Sequence, residues 1–135
     1  MKKLIGKKIN KIFIDSIEQH YMKFETNSGD VCFAGDGDCC SETYFSDVQN
    51  INNLIGQIVK SEEEIELQEG DYPKKESRQD EDSVYGIKLI TDSGESIIVY
   101  RNSSNGYYGG YCNFCKEIPA DIKMIEINKD YSSDD

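Results

Sequence analysis

The residues best suited to recognition fall in two glycine-rich stretches. One is Tyr100-Arg101-Asn102-Ser103-Ser104-Asn105-Gly106-Tyr107-Tyr108-Gly109-Gly110-Tyr111, a mixture of aromatics, amides, hydroxyls and one guanidinium. Tyr offers rigid amphipathic contact area and Gly lets backbone approach a ligand. Arg101, Asn102, Asn105, Tyr107 and Tyr108 are therefore candidate ligand or partner contacts, with Arg101 suited to a phosphate. The same composition also serves turns, because Asn and Gly accept positive φ. The other stretch, Gly35-Asp36-Gly37-Asp38-Cys39-Cys40-Ser41-Glu42, brings Asp36, Asp38 and Glu42 close together in sequence as further candidate contacts. They do not make a calcium loop. Counted from Asp36, an EF-hand needs an acid at position 5 and Gly at position 6, where this chain has Cys40 and Ser41. A turn feeding a helix accounts for the same acids, since a helix N-terminus favours negative charge. Neither stretch has the Lys or the glycine spacing of a phosphate-binding loop.

Cysteine falls at Cys32, Cys39, Cys40, Cys112 and Cys115, an odd number that argues against a disulfide framework. Cys112-Asn113-Phe114-Cys115 has the C-x-x-C spacing of half a zinc site or of a redox pair. Its other half would have to be Cys39 and Cys40, and adjacent residues in extended chain face opposite sides. Small buried thiols and no cofactor are expected, with zinc on Cys39, Cys40, Cys112 and Cys115 as the alternative. The one histidine, His20, stands in Glu18-Gln19-His20-Tyr21, where nothing marks it as the partner of a catalytic thiol. No catalytic residues are assigned.

The elements that must position these loops show an internal repeat. Met22-Lys23-Phe24-Glu25-Thr26-Asn27-Ser28-Gly29-Asp30 and Ile87-Lys88-Leu89-Ile90-Thr91-Asp92-Ser93-Gly94-Glu95 share one skeleton at an offset of 65 residues. Each reads as a β-hairpin, alternating up to Thr, turning at Asn-Ser-Gly or Asp-Ser-Gly and re-entering a β-rich run. Upstream, Leu4-Ile5-Gly6 matches Leu54-Ile55-Gly56 at an offset of 50. The 15-residue difference is an insertion at 69–83, polar and without Ile, Val, Leu or Phe, which reads as a solvated loop. Between the copies, residues 41–56 read as a helix: Ser41 as cap, Tyr44/Phe45, Val48, Ile51 and Leu54/Ile55 at three-and-four spacing, and Gly56 as its end. The expected fold is mainly β (α+β), a small antiparallel barrel or sandwich of about seven strands from two hairpin repeats, with one covering helix. It forms a single domain over 1–129, with the repeat over about 4–40 and 54–106 and a flexible tail at 130–135.

Of 135 residues, 15 are Lys or Arg and 26 are Asp or Glu, a net charge of −11. Such a charge disfavours direct nucleic-acid or anionic-membrane binding, where each phosphate contact wants a cation, and favours a basic protein partner. The excess is concentrated. Residues 61–83 hold ten acids against three bases, a net −7, so that Glu62, Glu63, Glu64, Asp80, Glu81 and Asp82 outline an acidic face. Apolar runs are far shorter than the ~20 residues of a membrane span, and Lys7 and Lys8 interrupt any signal-peptide core, so a cytoplasmic protein is expected.

At Gly37-Asp38-Cys39-Cys40-Ser41-Glu42-Thr43 and at residues 100–110, with Leu54-Ile55-Gly56 between them, the chain resembles a family of small phage and prophage proteins described only as a domain of unknown function. The resemblance covers residues 4–127; Cys112 and Cys115 depart from the pattern. It implies a phage-type accessory protein acting in host cytoplasm. By analogy with small acidic phage proteins, it points to a non-enzymatic inhibitor of host defence, anti-CRISPR-like, that engages a basic host protein such as a defence nuclease. The alternative is a protein, either a sponge or an enzyme, that takes a signalling nucleotide at the glycine-rich loops.

Overall fold

A computed structural model describes residues 3–37, 42–67, 81–104, 110–115 and 118–132, with backbone alone at 36, 37, 42, 81–83, 102–104 and 110–115. The β-formers alternate as half-buried strands should: in Tyr21–Thr26, Met22, Phe24 and Thr26 are buried while their neighbours are partly exposed. In chain order the strands are β1 (Ile9–Asp15), β2 (Tyr21–Thr26), β3 (Gly29–Gly37), β4 (Glu42–Gln49), β5 (Ser61–Glu66), β6 (Glu81–Thr91), β7 (Gly94–Ser104), β8 (Gly110–Cys115), β9 (Met124–Ile127) and β10 (Tyr131–Ser132). They form two five-stranded antiparallel sheets, ordered β8-β3-β2-β1-β9 and β10-β4-β7-β6-β5. Neither closes on itself, so the barrel alternative does not hold. One apolar cluster joins them, with Ile12, Ile14, Met22, Phe24 and Phe33 from the first sheet and Phe45, Val48, Leu89, Ile98 and Tyr100 from the second. A cavity between the two inner faces, lined by Met22, Phe24, Phe33, Phe45, Leu89 and Ile98, is about 10 Å³, room for no more than a water molecule.

The two matching hairpins fold alike. β2 and β3 pair up to Thr26 and Gly29, and β6 and β7 up to Thr91 and Gly94, leaving two-residue loops. In each loop the Thr hydroxyl accepts the Ser N–H, Ser28 to Thr26 and Ser93 to Thr91, both at 3.1 Å. Gly29 and Gly94 take φ of +107° and +135°, which Ala would adopt only under strain. The Leu-Ile-Gly segments are related in the same way. Lys7 N–H donates to Leu4 O and Gln57 N–H to Leu54 O, both at 3.0 Å. Gly6 N–H then donates to Val59 O and Gly56 N–H to Ile9 O, a reciprocal exchange across the 50-residue offset.

The fourth strand of each unit is exchanged. β4 follows β3 in the chain yet pairs with β7, and β8 follows β7 yet pairs with β3. The helix expected over 41–56 is thus β4 followed by a 3-10 turn at Ile51–Asn53. A bulge between Phe45 and Asp47 explains the misleading period. One extra residue puts Phe45 and Val48, three apart, both into the core, and Ile51 and Leu54 of the following turn continue that spacing.

The sheet margins differ. β1 is paired on both sides, by β2 and by β9, whereas among the described residues β5 pairs with β6 alone. β10 falls in the stretch expected to be a tail and sets Tyr131 opposite Val48. The chain between β8 and β9, described from Ile118, passes from one margin of the first sheet to the other. Its residues 118–120 and 122 stand over Lys23 and Cys32 on that sheet's outer face, enclosing a cleft of about 330 Å³.

Candidate functional site

Strand exchange brings the roots of both glycine-rich loops to one end of the molecule. Glu42 of β4, Ser103 of β7 and Asp82 of β6 share one row across the second sheet; Thr43, Asn102 and Ser83 share the next; Tyr44, Arg101 and Val84 the one after. On the first sheet Asp36 stands opposite Tyr111. The two layers nearly touch here, since a Cβ added at Gly35 would lie 2.6 Å from the carbonyl oxygen of Thr43. Only glycine allows that approach. Asp36, Glu42, Asn102 and Asp82 are therefore gathered by backbone position. Asp38, Cys39, Cys40, Asn105, Tyr107, Tyr108 and Asp80 lie outside the described residues.

Arg101 is not a loop side chain open to a ligand. It is 2% exposed, and its Nε donates to Ser46 Oγ at 3.2 Å, while that hydroxyl donates to Asp47 Oδ2 at 2.8 Å. A buried guanidinium stays charged and costs stability unless it is compensated. The register sets positions 42 and 82 two rows along the sheet from Arg101. Arg101 is thus enclosed and bonded within the chain.

The acidic face divides in two. Glu63, Glu64 and Glu66 of β5 are exposed along the sheet margin. Glu62, counted with them from the sequence, is instead buried, and its carboxylate accepts the Leu4 N–H at 2.8 Å. It stands opposite the buried Leu89, next to the Leu4 backbone; Glu64 and Glu66 share its face by alternation but are exposed. Glu81 and Asp82, expected in the inserted loop, begin β6 beside Ser104 and Ser103. The remainder of that loop, 69–80, lies outside the described residues.

One residue with structural work was missed. Asp15 is buried and accepts three backbone N–H groups, from Ile17 at 3.0 Å, Glu18 at 3.3 Å and His20 at 3.2 Å, which shapes the β1–β2 turn. An Asp at the end of an alternating run was its available signal. His20 belongs to the same turn, with Nδ1 3.3 Å from Glu18. Cys32, expected as a small buried thiol, is buried on the outer face of the first sheet and directly opposite Cys115. Cys112 stands opposite Gly35. Cys112 and Cys115 are thus three rows apart in the ladder with β3.

Two packed antiparallel sheets with exchanged fourth strands and an acidic margin define a small β-sandwich. The chain belongs to the family described as "Domain of unknown function (DUF7448)", which matches residues 2–114. It is similar to "Uncharacterized protein L278" of Acanthamoeba polyphaga mimivirus, 34% identical over 83 residues. That match covers 58% of this chain and 62% of the viral protein, so the chain spans less than two thirds of its relative. No solved structure matches it. Among the described residues no helix is long and apolar enough to cross a membrane.

Proposed function

We propose that the protein is a non-enzymatic binding protein that engages a basic protein partner through the β5 margin and the acidic segment after it. The observation that carries this reading is the row Glu63, Glu64 and Glu66, exposed on a strand whose outer side no described strand covers. Acidic side chains in a row produce a local field that steers a cationic surface and weakens with salt. Within this class the finer reading is a viral accessory protein that occupies the nucleic-acid channel of a host defence nuclease, in the manner of anti-CRISPR proteins. A viral relative and a net charge of −11 favour it.

The test is capture from host lysate on the immobilised chain, over a salt series, with and without competing duplex DNA. The triple variant Glu63→Lys, Glu64→Lys, Glu66→Lys is run beside it. A basic protein captured by the native chain, displaced by DNA, lost as salt rises and absent with the variant is the expected result. Equal capture by the variant, or capture indifferent to salt, contradicts the proposal.

A further inference from the structure

We propose that Cys32 and Cys115 are a thiol pair that oxidises to a cross-strand disulfide, tying the end of β8 to β3 beneath the segment that crosses the first sheet. The argument starts from register. The two residues are direct partners in the antiparallel β3–β8 ladder. Direct antiparallel partners have Cα atoms ~4.5 or ~5.5 Å apart, both inside the ~4.4–6.8 Å range that a disulfide bridges. Partners in such a ladder also share a face of the sheet.

The other pairings among the three cysteines with described backbone fail. Cys112 and Cys115 are three residues apart on one strand, about 10 Å at strand rise, and on opposite faces. Cys32 and Cys112 are three rows apart in the ladder, because Cys112 stands opposite Gly35. A bridge there would need backbone movement.

Position makes the pair consequential. Cys115 is the last residue of β8, and the chain that follows crosses the outer face to reach β9. Cys32 lines the cleft under that crossing chain, together with Lys23, Asp30, Pro119, Ile122 and Met124. The cleft gives a small oxidant a route to a thiol that is otherwise 5% exposed. With a disulfide such as oxidised glutathione, one cysteine thiolate attacks the oxidant's S–S bond and expels a thiolate, which takes up a proton. The second cysteine, deprotonated, attacks the resulting mixed disulfide and expels the other. Two protein thiols lose two electrons and two protons; one disulfide becomes two thiols.

The experiment equilibrates the full chain in glutathione buffers of increasing oxidised fraction, blocks remaining thiols with iodoacetamide and maps cross-linked peptides without reduction by mass spectrometry. The expected product is a peptide joining Cys32 to Cys115, reversed by dithiothreitol, retained in Cys112→Ser and lost in Cys115→Ser, with near-UV circular dichroism confirming that both variants fold. The oxidised chain is expected to melt at a higher temperature than the reduced one. A dominant cross-link between any other pair, a stable glutathione adduct in place of the cross-link, or no cross-link in the most oxidising buffer overturns the proposal.

Discussion

β1 and β5 occupy corresponding places in the two halves, since residues 9–15 shifted by 50 fall on 59–65, yet their fates differ. β1 runs between two partners and sends Ile9, Ile12 and Ile14 into the core. β5 is a margin strand, SEEEIE, that exposes Glu63, Glu64 and Glu66 and, among the described residues, has no strand on the side where β1 has β9. An added strand has hidden one margin; charge guards the other, because a flat uncharged edge invites pairing with other chains. The halves share local design, and what distinguishes them, among the described residues, is which margin another strand covers.

Breaking β1 should have the largest effect. Ile12→Ala removes a fully buried side chain from between two paired strands and is expected to cost about 3 kcal/mol, against about 1 kcal/mol for half-buried Ile65→Ala, both read from urea unfolding. Equal losses would show β5 to be as integrated as β1. Within β5, Glu62→Ala leaves the buried Leu4 N–H without its acceptor and should cost about 1–3 kcal/mol, whereas Glu63→Ala should stay within about 0.5 kcal/mol. If the two match in the same assay, the inward and outward glutamates do not differ as described.

The hairpin tips provide a finer contrast. A Cβ at Gly29 meets open space, but at Gly94 it lies 2.9 Å from Asn53 Nδ2, whose amide donates to Glu95 O at 2.8 Å. Both Gly→Ala variants carry the left-handed strain of about 1–2 kcal/mol, and Gly94→Ala should lose about 1 kcal/mol more through the disturbed Asn53 bond. A lower melting temperature for Gly29→Ala than for Gly94→Ala would reverse that ranking.

Turn chemistry made the hairpins legible from sequence, because Thr-Asn-Ser-Gly and Thr-Asp-Ser-Gly specify their loops locally. β4 was hidden by its own bulge, which spaces Phe45 and Val48 as a helix would. The strand exchange was beyond reach for another reason: β3 meets β8 across some eighty residues, and no local pattern encodes which fourth strand joins which sheet. For the site, composition located the acid excess, but only burial separates Glu62 from Glu63 and Glu64, and only register sets Cys32 against Cys115. Arg101 reads as a loop contact because it adjoins Asn and Ser, yet it is buried.

The central claim is that the β5 charge, and not acidity in general, binds the partner. The direct measurement is the affinity of the captured partner for two variants of equal charge change at fixed salt. One carries Lys at Glu63, Glu64 and Glu66, the other at the exposed Asp92, Asp121 and Glu126. Loss of more than about tenfold in the first and less than about threefold in the second is predicted; equal loss in both contradicts the account.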